Sequence, residues 1–348
     1  MVDSPSKRDI RKLELEELKV FFAEKGEKAF RAQQVYEWLW HKSAKDFDQM
    51  TNLSFGLREM LKENFAINHI NVDRFQRSTD GTIKNAVTLF DGMVVESVLI
   101  PTEKRITACV SSQVGCSLAC KFCATAKLKR QRNLSPDEIY DQVVAIKEQA
   151  QLYFGRPLTN IVFMGMGEPL LNYPNVISAI EKITSQKGLN MASKRITVST
   201  VGLTKMIMKM ADDNVKFNLA VSLHAALDET RSSIMPINDT NPLSDLGDAL
   251  TYWYEKTKKK VTYEYVVWKG INDTEEHARA LLKFCKIIPS KVNLIEYNPI
   301  DEGIFQQADD RSLNMYMDLL ERHGITTRIR KSRGKDIDAA CGQLANKT

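Results

Sequence analysis

Apolar residues recur at intervals of three or four positions in the first part of the chain. The stretch LEELKVFFAEKGEKAFRAQQVYEWLWHK places Leu18 and Phe22 before Gly26, and the pattern resumes at Phe30. This period is typical of amphipathic helices, and a glycine after such a run is typical of a helix end. We therefore predict a small N-terminal helical domain over residues 1–70.

The pattern changes in residues 71–100 to short alternating runs separated by turn signals. VDRFQRS is followed by DGT, KNAVTLF by DGM, and VVESVLI completes the series. Alternation with a period of two indicates half-buried strands, and Asp-Gly pairs are typical of tight hairpin turns. These residues are therefore predicted to form a short antiparallel β extension.

From residue 101 to residue 348, short β-branched runs alternate with longer helical patterns. The runs predicted to be strands are ITACVSS, NIVFMG, RITVSTVG, FNLAVSLH, VTYEYVV and VNLIEYN. Helices are predicted between them, near residues 135–151, 173–186, 202–213, 244–258 and 274–288. This alternation predicts an α/β fold with a parallel sheet, and six units suit a partial (β/α)6 barrel. Functional residues are then expected at the carboxyl ends of the strands.

Composition narrows the class of protein. The 348 residues are 43% hydrophobic and 27% charged, as in ordinary globular proteins, and no apolar run is long enough to cross a bilayer. The start of the chain, MVDSPSKRDIRKLELEEL, lacks the apolar stretch of a signal peptide. We therefore expect a cytoplasmic protein without membrane contact. In that compartment thiols stay reduced, so clustered cysteines indicate metal binding or catalysis.

The net charge of +5 is modest, but basic residues are concentrated in two runs. KFCATAKLKRQR and RIRKSRGK contain no acidic residue, and each lies near a cysteine. A charge run is often only a solvated surface. The position of these two near cysteines favours a site for the phosphates of a polyanion.

Three cysteines follow the first predicted barrel strand, in GCSLACKFCATAK. Cys116, Cys120 and Cys123 have the spacing Cys-x3-Cys-x2-Cys. Three thiolates on one loop are able to bind three irons of a [4Fe–4S] cube and to leave the fourth iron open to a substrate. Zinc is an alternative, but it normally takes four Cys or His ligands in paired spacing, and no His lies near this loop. A further alternative is that these are ordinary cysteines of a buried core. The presence of three cysteines on one loop that starts with a glycine argues against it.

Motifs along almost the whole chain resemble one enzyme family. The cysteine loop and the element MGMGEPL resemble the radical S-adenosylmethionine (SAM) superfamily. More narrowly, an ordered set of motifs resembles the RlmN/Cfr family of RNA adenine methyltransferases: CVSSQVGCSLACKFCATA, MGMGEPLLN, ITVSTVG, SLHAALDETR, MPIND, LIEYNP and RGKDIDAACGQL. The segment KAFRAQQVYEWLW is similar to the same family. The resemblance implies a radical SAM barrel with an N-terminal accessory domain that binds RNA.

The resemblance also implies two cofactors. Cys116, Cys120 and Cys123 would bind a [4Fe–4S] cluster, and two SAM molecules would be used in each turnover. Matching motif positions imply SAM contacts at the ends of the predicted strands, from Gly167, Glu168, Ser199, Ser222, Leu223, His224 and Asn298. A flavodoxin or a ferredoxin-type protein would supply electrons.

Catalytic roles for three residues follow from the same resemblance. Cys341 matches the cysteine that carries the methyl group: one SAM methylates its thiolate, and a radical from the second SAM removes a hydrogen from that methyl. The resulting carbon radical adds to adenine, a route that suits a ring carbon too electron-poor to attack SAM directly. Cys109 matches the thiol that releases the RNA–protein adduct and leaves a transient disulfide. Glu96 matches the acceptor of the ring proton.

RNA substrates are implied as well. RGKDIDAACGQL and the proline after Gly-Glu are similar to the branch that methylates C2 of adenine 2503 in 23S rRNA, free of protein or early in assembly, and adenine 37 of tRNAs. The branch that methylates C8 of the ribosomal adenine stays an alternative. A non-catalytic Fe–S RNA-binding protein is the alternative from another class, although it needs neither Gly167 and Glu168 nor cysteines outside the cluster. The chain ends at Thr348 without the basic tail of many members, so the N-terminal domain and the basic runs are expected to contact the RNA. We expect a monomer.

Overall fold

Helices dominate the N-terminal part of the computed structural model, which describes residues 7–301 and 303–346. The elements are β1 (Arg8–Asp9), α1 (Leu15–Glu24), α2 (Ala29–Trp40), α3 (Phe55–Asn64) and β2 (Phe65–Ala66). The short strands β1 and β2 pair in parallel. Glu14 and Glu17 form a capping box at the start of α1, and Ser54 accepts the Leu57 N–H at the start of α3. The predicted helical character of this region is confirmed.

An antiparallel meander follows, with the strands β3 (Asn71–Arg77), β4 (Ile83–Thr88), β5 (Val94–Pro101) and β6 (Ile106–Cys109). The pairing register aligns Lys84, Val98 and Cys109 across β4, β5 and β6. Since residues in register point to the same side of a sheet, these three side chains share one face. The predicted β extension is therefore continuous with the barrel sheet.

The parallel part of the sheet starts at β6. After the short ribbon of β7 (Gln113–Val114) and β8 (Arg132–Asn133), it continues with β9 (Asn160–Phe163), β10 (Ile196–Thr200), β11 (Asn218–Ser222), β12 (Val261–Val266), β13 (Ser290–Ile295) and β14 (Thr326–Arg330). The strand order is β14-β13-β12-β11-β10-β9-β6-β5-β4-β3, so the sheet is open at β14 and β3. Every predicted barrel strand is confirmed. Strand β14 is an addition, because its residues were interpreted only as a basic run.

Helices connect the parallel strands: α4 (Pro136–Phe154), α5 (Tyr173–Thr184), α6 (Thr204–Asp212), α7 (Asp228–Ile234), α8 (Leu243–Thr257), α9 (Glu275–Cys285) and α10 (Asp310–Arg322). The five predicted helices correspond to α4, α5, α6, α8 and α9, whereas α7 and α10 were not predicted. Helix α4 shows why local sequence predicts these helices. Ser135 and Glu138 form a capping box at its start, and Gly155 ends it in the left-handed conformation. Within the described residues, six β/α units precede β14, which confirms the α/β class and the partial (β/α)6 barrel.

One hydrophobic core joins the N-terminal helices, the meander and the barrel. Trp40 of α2 packs edge to face on Tyr140 of α4, with ring centroids 5.2 Å apart. The boundaries predicted at residues 70 and 100 fall at changes of secondary structure, and they stay a prediction of how the chain is organised. No helix in residues 7–301 and 303–346 is long and apolar enough to span a bilayer.

Buried ion pairs fix the N-terminal part on the barrel. The Arg11 guanidinium lies 2.7 Å from Asp141 Oδ1 and 3.6 Å from Asp137 Oδ2, and its side chain is 3% exposed. Lys12 Nζ lies 2.6 Å from Asp137 Oδ1. Because both carboxylates belong to α4, these contacts set the position of the first residues against the first barrel helix.

Replacing Arg11 with alanine is expected to lower the free energy of unfolding by about 3–5 kcal/mol, because it leaves the buried carboxylate of Asp141 without its counter-charge. Urea denaturation followed by circular dichroism measures the loss. The matched control is Lys19→Ala, which removes an exposed pair with Glu16 and should change stability by less than about 0.5 kcal/mol. Equal effects of the two substitutions would contradict the anchoring role.

Candidate active site

A cavity of about 170 Å³ lies where the carboxyl ends of the parallel strands meet. Its walls come from the ends of β9 to β14, the loop between β7 and β8, and the segment after β14. Most of the predicted site residues line it: Cys116, Cys120, Cys123, Gly167, Glu168, Ser199, Ser222, His224, Asn298 and Cys341. Leu223, Cys109 and Glu96 are buried outside this lining. The structure therefore brings residues from distant parts of the sequence to one place.

The three-cysteine loop is shaped by hydrogen bonds and by one glycine. Gly115 has φ +73°, and a Cβ there would lie 2.5 Å from the Lys129 carbonyl oxygen. Cys116 N–H donates to the Leu128 carbonyl at 3.2 Å, and Lys121 N–H donates to the Ile234 carbonyl at 3.0 Å. The loop is thus held against residues 128–129 and against the end of α7, and only glycine fits at its start.

The chemistry of the three thiols fits a metal cluster. Burial raises the pKa of Cys116 to about 11 and raises the pKa of Cys120 and Cys123 as well, so these thiols ionise readily only beside positive charge such as iron. Cys116 Sγ accepts the Leu118 N–H at 3.4 Å, a contact that favours the thiolate. Across residues 7–301 and 303–346, no three Cys, His, Asp or Glu side chains are grouped as ligands to a single metal ion. A cube does not need that grouping, because each thiolate binds a different iron.

Glu168 is the buried acid of the cavity. Its carboxylate accepts the Val201 N–H at 3.0 Å and the Leu170 N–H at 3.1 Å, while its own N–H donates to Gln113 Oε1 at 2.9 Å. Burial raises the pKa of Glu168 to about 7. A cationic amino group bound beside it would stabilise the ionised form, which is the property expected of a contact to the methionyl end of SAM.

His224 lies opposite, at the end of β11. Burial lowers its pKa to about 3, so the imidazole is neutral. Nδ1 accepts the Val266 N–H at 3.2 Å, and the Phe122 ring packs on the imidazole with centroids 4.8 Å apart. Neutral His224 and the nearby Ser222 hydroxyl offer hydrogen bonds without charge. Leu223 between them is fully buried, and its N–H donates to the Glu264 carbonyl at 3.0 Å.

Cys109 and Cys341 both interact electrostatically with an arginine, Arg330, that sequence reasoning did not single out. Burial raises the pKa of Cys109 to about 12, and negative charge on Cys341 adds to the rise. Arg330, at the end of β14, interacts electrostatically with both thiols, and the charge of Cys341 is the main cause of the raised pKa of Arg330. Its guanidinium also lies 3.6 Å from the buried carboxylate of Glu264. The alternation of polar and apolar residues in RIRK was the sequence signal that could have predicted this strand, with Arg330 directed towards the cavity.

The segment that carries Cys341 is docked at several points. Ala124 N–H donates to the Gly342 carbonyl at 2.7 Å, and Thr125 Oγ1 donates to the Leu344 carbonyl at 2.6 Å. Asn298 Nδ2 donates to the Cys341 carbonyl at 3.3 Å. Asn298, predicted as a SAM contact, therefore also holds the Cys341 backbone. All six cysteines lie in the described ranges and are free thiols.

Glu96 is placed differently from the other predicted catalytic residues. It is fully buried, and Oε2 accepts the N–H groups of Ala345 and Asn346 at 2.8 and 3.0 Å. Oε1 lies 3.3 Å from the buried Lys84 Nζ. In this arrangement the carboxylate holds the C-terminal segment and does not face the cavity.

Comparisons with known proteins agree with this fold. Residues 8–67 match the ribosomal RNA large subunit methyltransferase N-terminal domain, and residues 110–282 match the radical SAM superfamily. A crystal structure of a radical SAM methyltransferase from Sphaerobacter thermophilus is similar with a TM-score of 0.91 and 38% identity, covering 97% of this chain and 99% of that one. The chain is therefore a radical SAM protein, a superfamily that uses a [4Fe–4S] cluster and SAM.

Two curated relatives narrow the family. A probable dual-specificity RNA methyltransferase RlmN of Christiangramia forsetii is 68% identical over 98% of this chain and 97% of its own length. The protein of the same name from Flavobacterium psychrophilum is 67% identical over 98% of both chains. The chain belongs to the RlmN family.

Gly167 is expected to be required for SAM binding. Its φ is +90°, and a Cβ would lie 2.4 Å from Gln113 Cβ, so Gly167→Ala must displace Gln113 and with it the Glu168 N–H. We expect SAM affinity to fall by roughly tenfold or more, measured by equilibrium dialysis on reconstituted protein.

The matched control is Gly56→Ala, since Gly56 lies in α3 with open space around it. That variant should bind SAM as the unmodified protein does. Unchanged affinity in Gly167→Ala would contradict the role given to this turn.

Proposed function

We propose that the chain methylates C2 of adenine in RNA, at position 2503 of 23S rRNA and at position 37 of tRNAs. The observation that carries this proposal is that Cys341 lines one cavity together with Cys116, Cys120, Cys123 and Glu168, beside Cys109. Methylation through a protein-bound methyl group requires one cysteine that carries the methyl group and a second that releases the product, both close to the cluster loop. The names of the relatives support an RNA substrate.

Cofactor binding is assigned to the cavity walls. Cys116, Cys120 and Cys123 hold a [4Fe–4S] cluster, which when bound supplies the electron that cleaves SAM to a 5′-deoxyadenosyl radical. The residues proposed to hold SAM are Gly167, Glu168, Ser199, Ser222, Leu223, His224 and Asn298. Glu168 holds the amino group by charge, and Leu223 contributes only through its backbone, since its side chain is in the core.

Cys341 is the methyl carrier, and each turnover uses two SAM molecules. Its thiolate forms a new S–C bond to the methyl of the first SAM as the sulfonium S–C bond breaks. The positive charge of Arg330, at the end of β14, interacts with the sulfur that attacks. Since Cys341 lines the same cavity as the three cluster cysteines, a radical from a second SAM bound there would be able to remove a hydrogen from that methyl.

Cys109 releases the product. Its sulfur attacks Cys341 Sγ, the bond from that sulfur to the product carbon breaks, and the product carbon takes the electron pair and a proton. A Cys109–Cys341 disulfide remains, which a cellular reductant must return to two thiols. Burial keeps Cys109 protonated before this step, and the charge of Arg330 partly offsets the effect of burial on its pKa.

Glu96 accepts the ring proton in this proposal, and the unpaired electron that the radical addition leaves on the ring would return to the oxidised cluster. Because its carboxylate accepts the Ala345 and Asn346 N–H groups in the described arrangement, this role requires residues 345–346 to move away first. Proton transfer would therefore follow release of the C-terminal segment.

RNA contacts are assigned to exposed basic residues of the two runs. Arg132 forms ion pairs with Asp91 and Glu138, and Lys335 pairs with Glu296, so these two side chains stabilise the fold. The exposed members proposed to contact phosphates are Lys121, Lys129, Arg130, Arg328 and Lys331. The N-terminal domain adds surface for the RNA. The protein acts as a monomer on protein-free or early-assembly 23S rRNA and on tRNA, with a flavodoxin or ferredoxin-type reductant.

The reaction product tests the proposal. Protein reconstituted anaerobically with iron and sulfide, then mixed with SAM, reductant and an RNA that contains the 2503 region, should yield 5′-deoxyadenosine and 2-methyladenosine. Mass spectrometry of the digested RNA measures both. An 8-methyladenosine product would contradict the C2 assignment, and absence of SAM cleavage would favour a non-catalytic Fe–S RNA-binding protein.

Cysteine substitutions test the assigned roles. Cys341→Ala should abolish methyl incorporation into the protein, whereas Cys109→Ala should accumulate an RNA–protein crosslink visible by denaturing electrophoresis. Cys285 is buried on α9 away from the cavity, so Cys285→Ala is the matched control and should turn over normally. Normal turnover by Cys109→Ala would reject the release step.

A further inference from the structure

A buried lysine lies behind the two reacting cysteines. Lys84, on β4, is 2% exposed, and its Nζ lies 3.3 Å from Oε1 of Glu96, which is wholly buried. This contact is an ion pair without hydrogen-bond geometry, since Glu96 Oε1 has no hydrogen-bond partner. Burying an ammonium group costs folding free energy, so we expect Lys84 to have a function at this position.

The lysine, its partner and Cys109 share one face of the sheet. Lys84 is in register with Val98 of β5, and Val98 is in register with Cys109 of β6. Glu96 is two residues from Val98 along β5, so its side chain points to the same side. The Lys84–Glu96 pair therefore lies on the inner face that also carries Cys109.

The second oxygen of Glu96 connects this pair to the Cys341 segment. It accepts the Ala345 and Asn346 N–H groups at 2.8 and 3.0 Å, and Asn346 Nδ2 donates to the Val94 carbonyl at 2.9 Å. Near its other end, the same segment is bonded to the cluster loop through Gly342 and Leu344. The residues that follow Cys341 are thus bonded first to the cluster loop and then to β5.

Charge explains why the lysine matters to this connection. Amide hydrogen bonds to an ionised carboxylate are roughly twice as strong as neutral ones. Lys84 places a positive charge 3.3 Å from Oε1 of the same carboxylate and so fixes its orientation towards the two amides. Removal of the ammonium group weakens the hold of Oε2 on the two amides without altering any residue of the cavity.

We propose that Lys84 is a positioning residue of the methylation reaction, which through Glu96 holds residues 345–346, and with them Cys341, at the cavity. The positioning part rests on the proposed function of Cys341, whereas the docking part does not. Lys84 is not among the residues that line the cavity, so its effect on the reaction passes through Glu96, which holds the C-terminal segment.

Hydrogen–deuterium exchange of the C-terminal peptide tests the docking without any turnover. In reconstituted Lys84→Met, exchange of the amides of Ala345 and Asn346 should become roughly tenfold faster, while peptides from β12 keep their rates. The matched control is Asn85→Ala, the next residue on β4, whose side chain bonds to Gln149 on the opposite face. That variant should leave tail exchange within about twofold of the unmodified protein. Unchanged tail exchange in Lys84→Met overturns the proposal.

Coupling tests the positioning. With Cys341 less well held, the amount of 5′-deoxyadenosine formed for each methylated adenosine should rise several-fold in Lys84→Met and stay constant in Asn85→Ala. A loosened tail with unchanged coupling overturns the positioning role. If the unmodified protein methylates no RNA, the proposed function fails, and the exchange result still decides whether Lys84 holds the tail.

A second variant covers the case in which Lys84→Met does not fold. Lys84→Met combined with Glu96→Gln removes both buried charges and keeps an oxygen acceptor for the two amides. It avoids an unpaired buried charge and is expected to fold, with tail exchange faster than in the unmodified protein. Tail exchange equal to that of the unmodified protein in this double variant overturns the proposal as well.

Discussion

The parallel direction of β6 and of the strands β9 to β14 is the constraint on which the site depends. Because these strands run the same way, their carboxyl ends meet at one edge, and residues as far apart in the sequence as Cys116 and Gly342 share one cavity. The end of β9 contributes Gly167 and Glu168, the end of β11 contributes His224, and the end of β14 contributes Arg330. The helices that return the chain lie between strands and leave this edge free for cofactor and substrate.

The C-terminal segment completes the cavity, and its position is fixed on both sides of Cys341. Before the cysteine, Gly334 N–H donates to Asp80 and Ser78 donates to Asp336, so the segment after β14 is tied to the β3–β4 turn. After the cysteine, it is bonded to the cluster loop and to Glu96. The backbone on both sides of Cys341 is therefore bonded to other parts of the fold. The same bonds must open if Glu96 is to accept a proton.

Buried charge recurs wherever parts of this fold must be held in one arrangement. Arg11 fixes the N-terminal helices on α4, and Lys84 with Glu96 fixes the C-terminal segment on β5. Arg231 is wholly buried and donates to the carbonyl groups of Leu223 and Val201, so it joins the ends of β11 and β10 below the cavity. Directional bonds to buried charge specify position in a way that apolar contact does not.

Local sequence determined the elements and the chemistry of short motifs. Helical and alternating periods identified the N-terminal helices, the meander and the six strands, and the spacing of Cys116, Cys120 and Cys123 alone indicated a cluster loop, because these signals lie within a few residues of one another. Strand β14 was not predicted because its residues read as a basic run. Only the fold shows that Arg328 is exposed whereas Arg330 lines the cavity. Glu96 could be recognised as a matching residue, but its contacts with Lys84 and with residues 345–346 depend on strand pairing and on a segment about 250 positions away. Such contacts leave no local pattern, so only the tertiary structure decided where these side chains act.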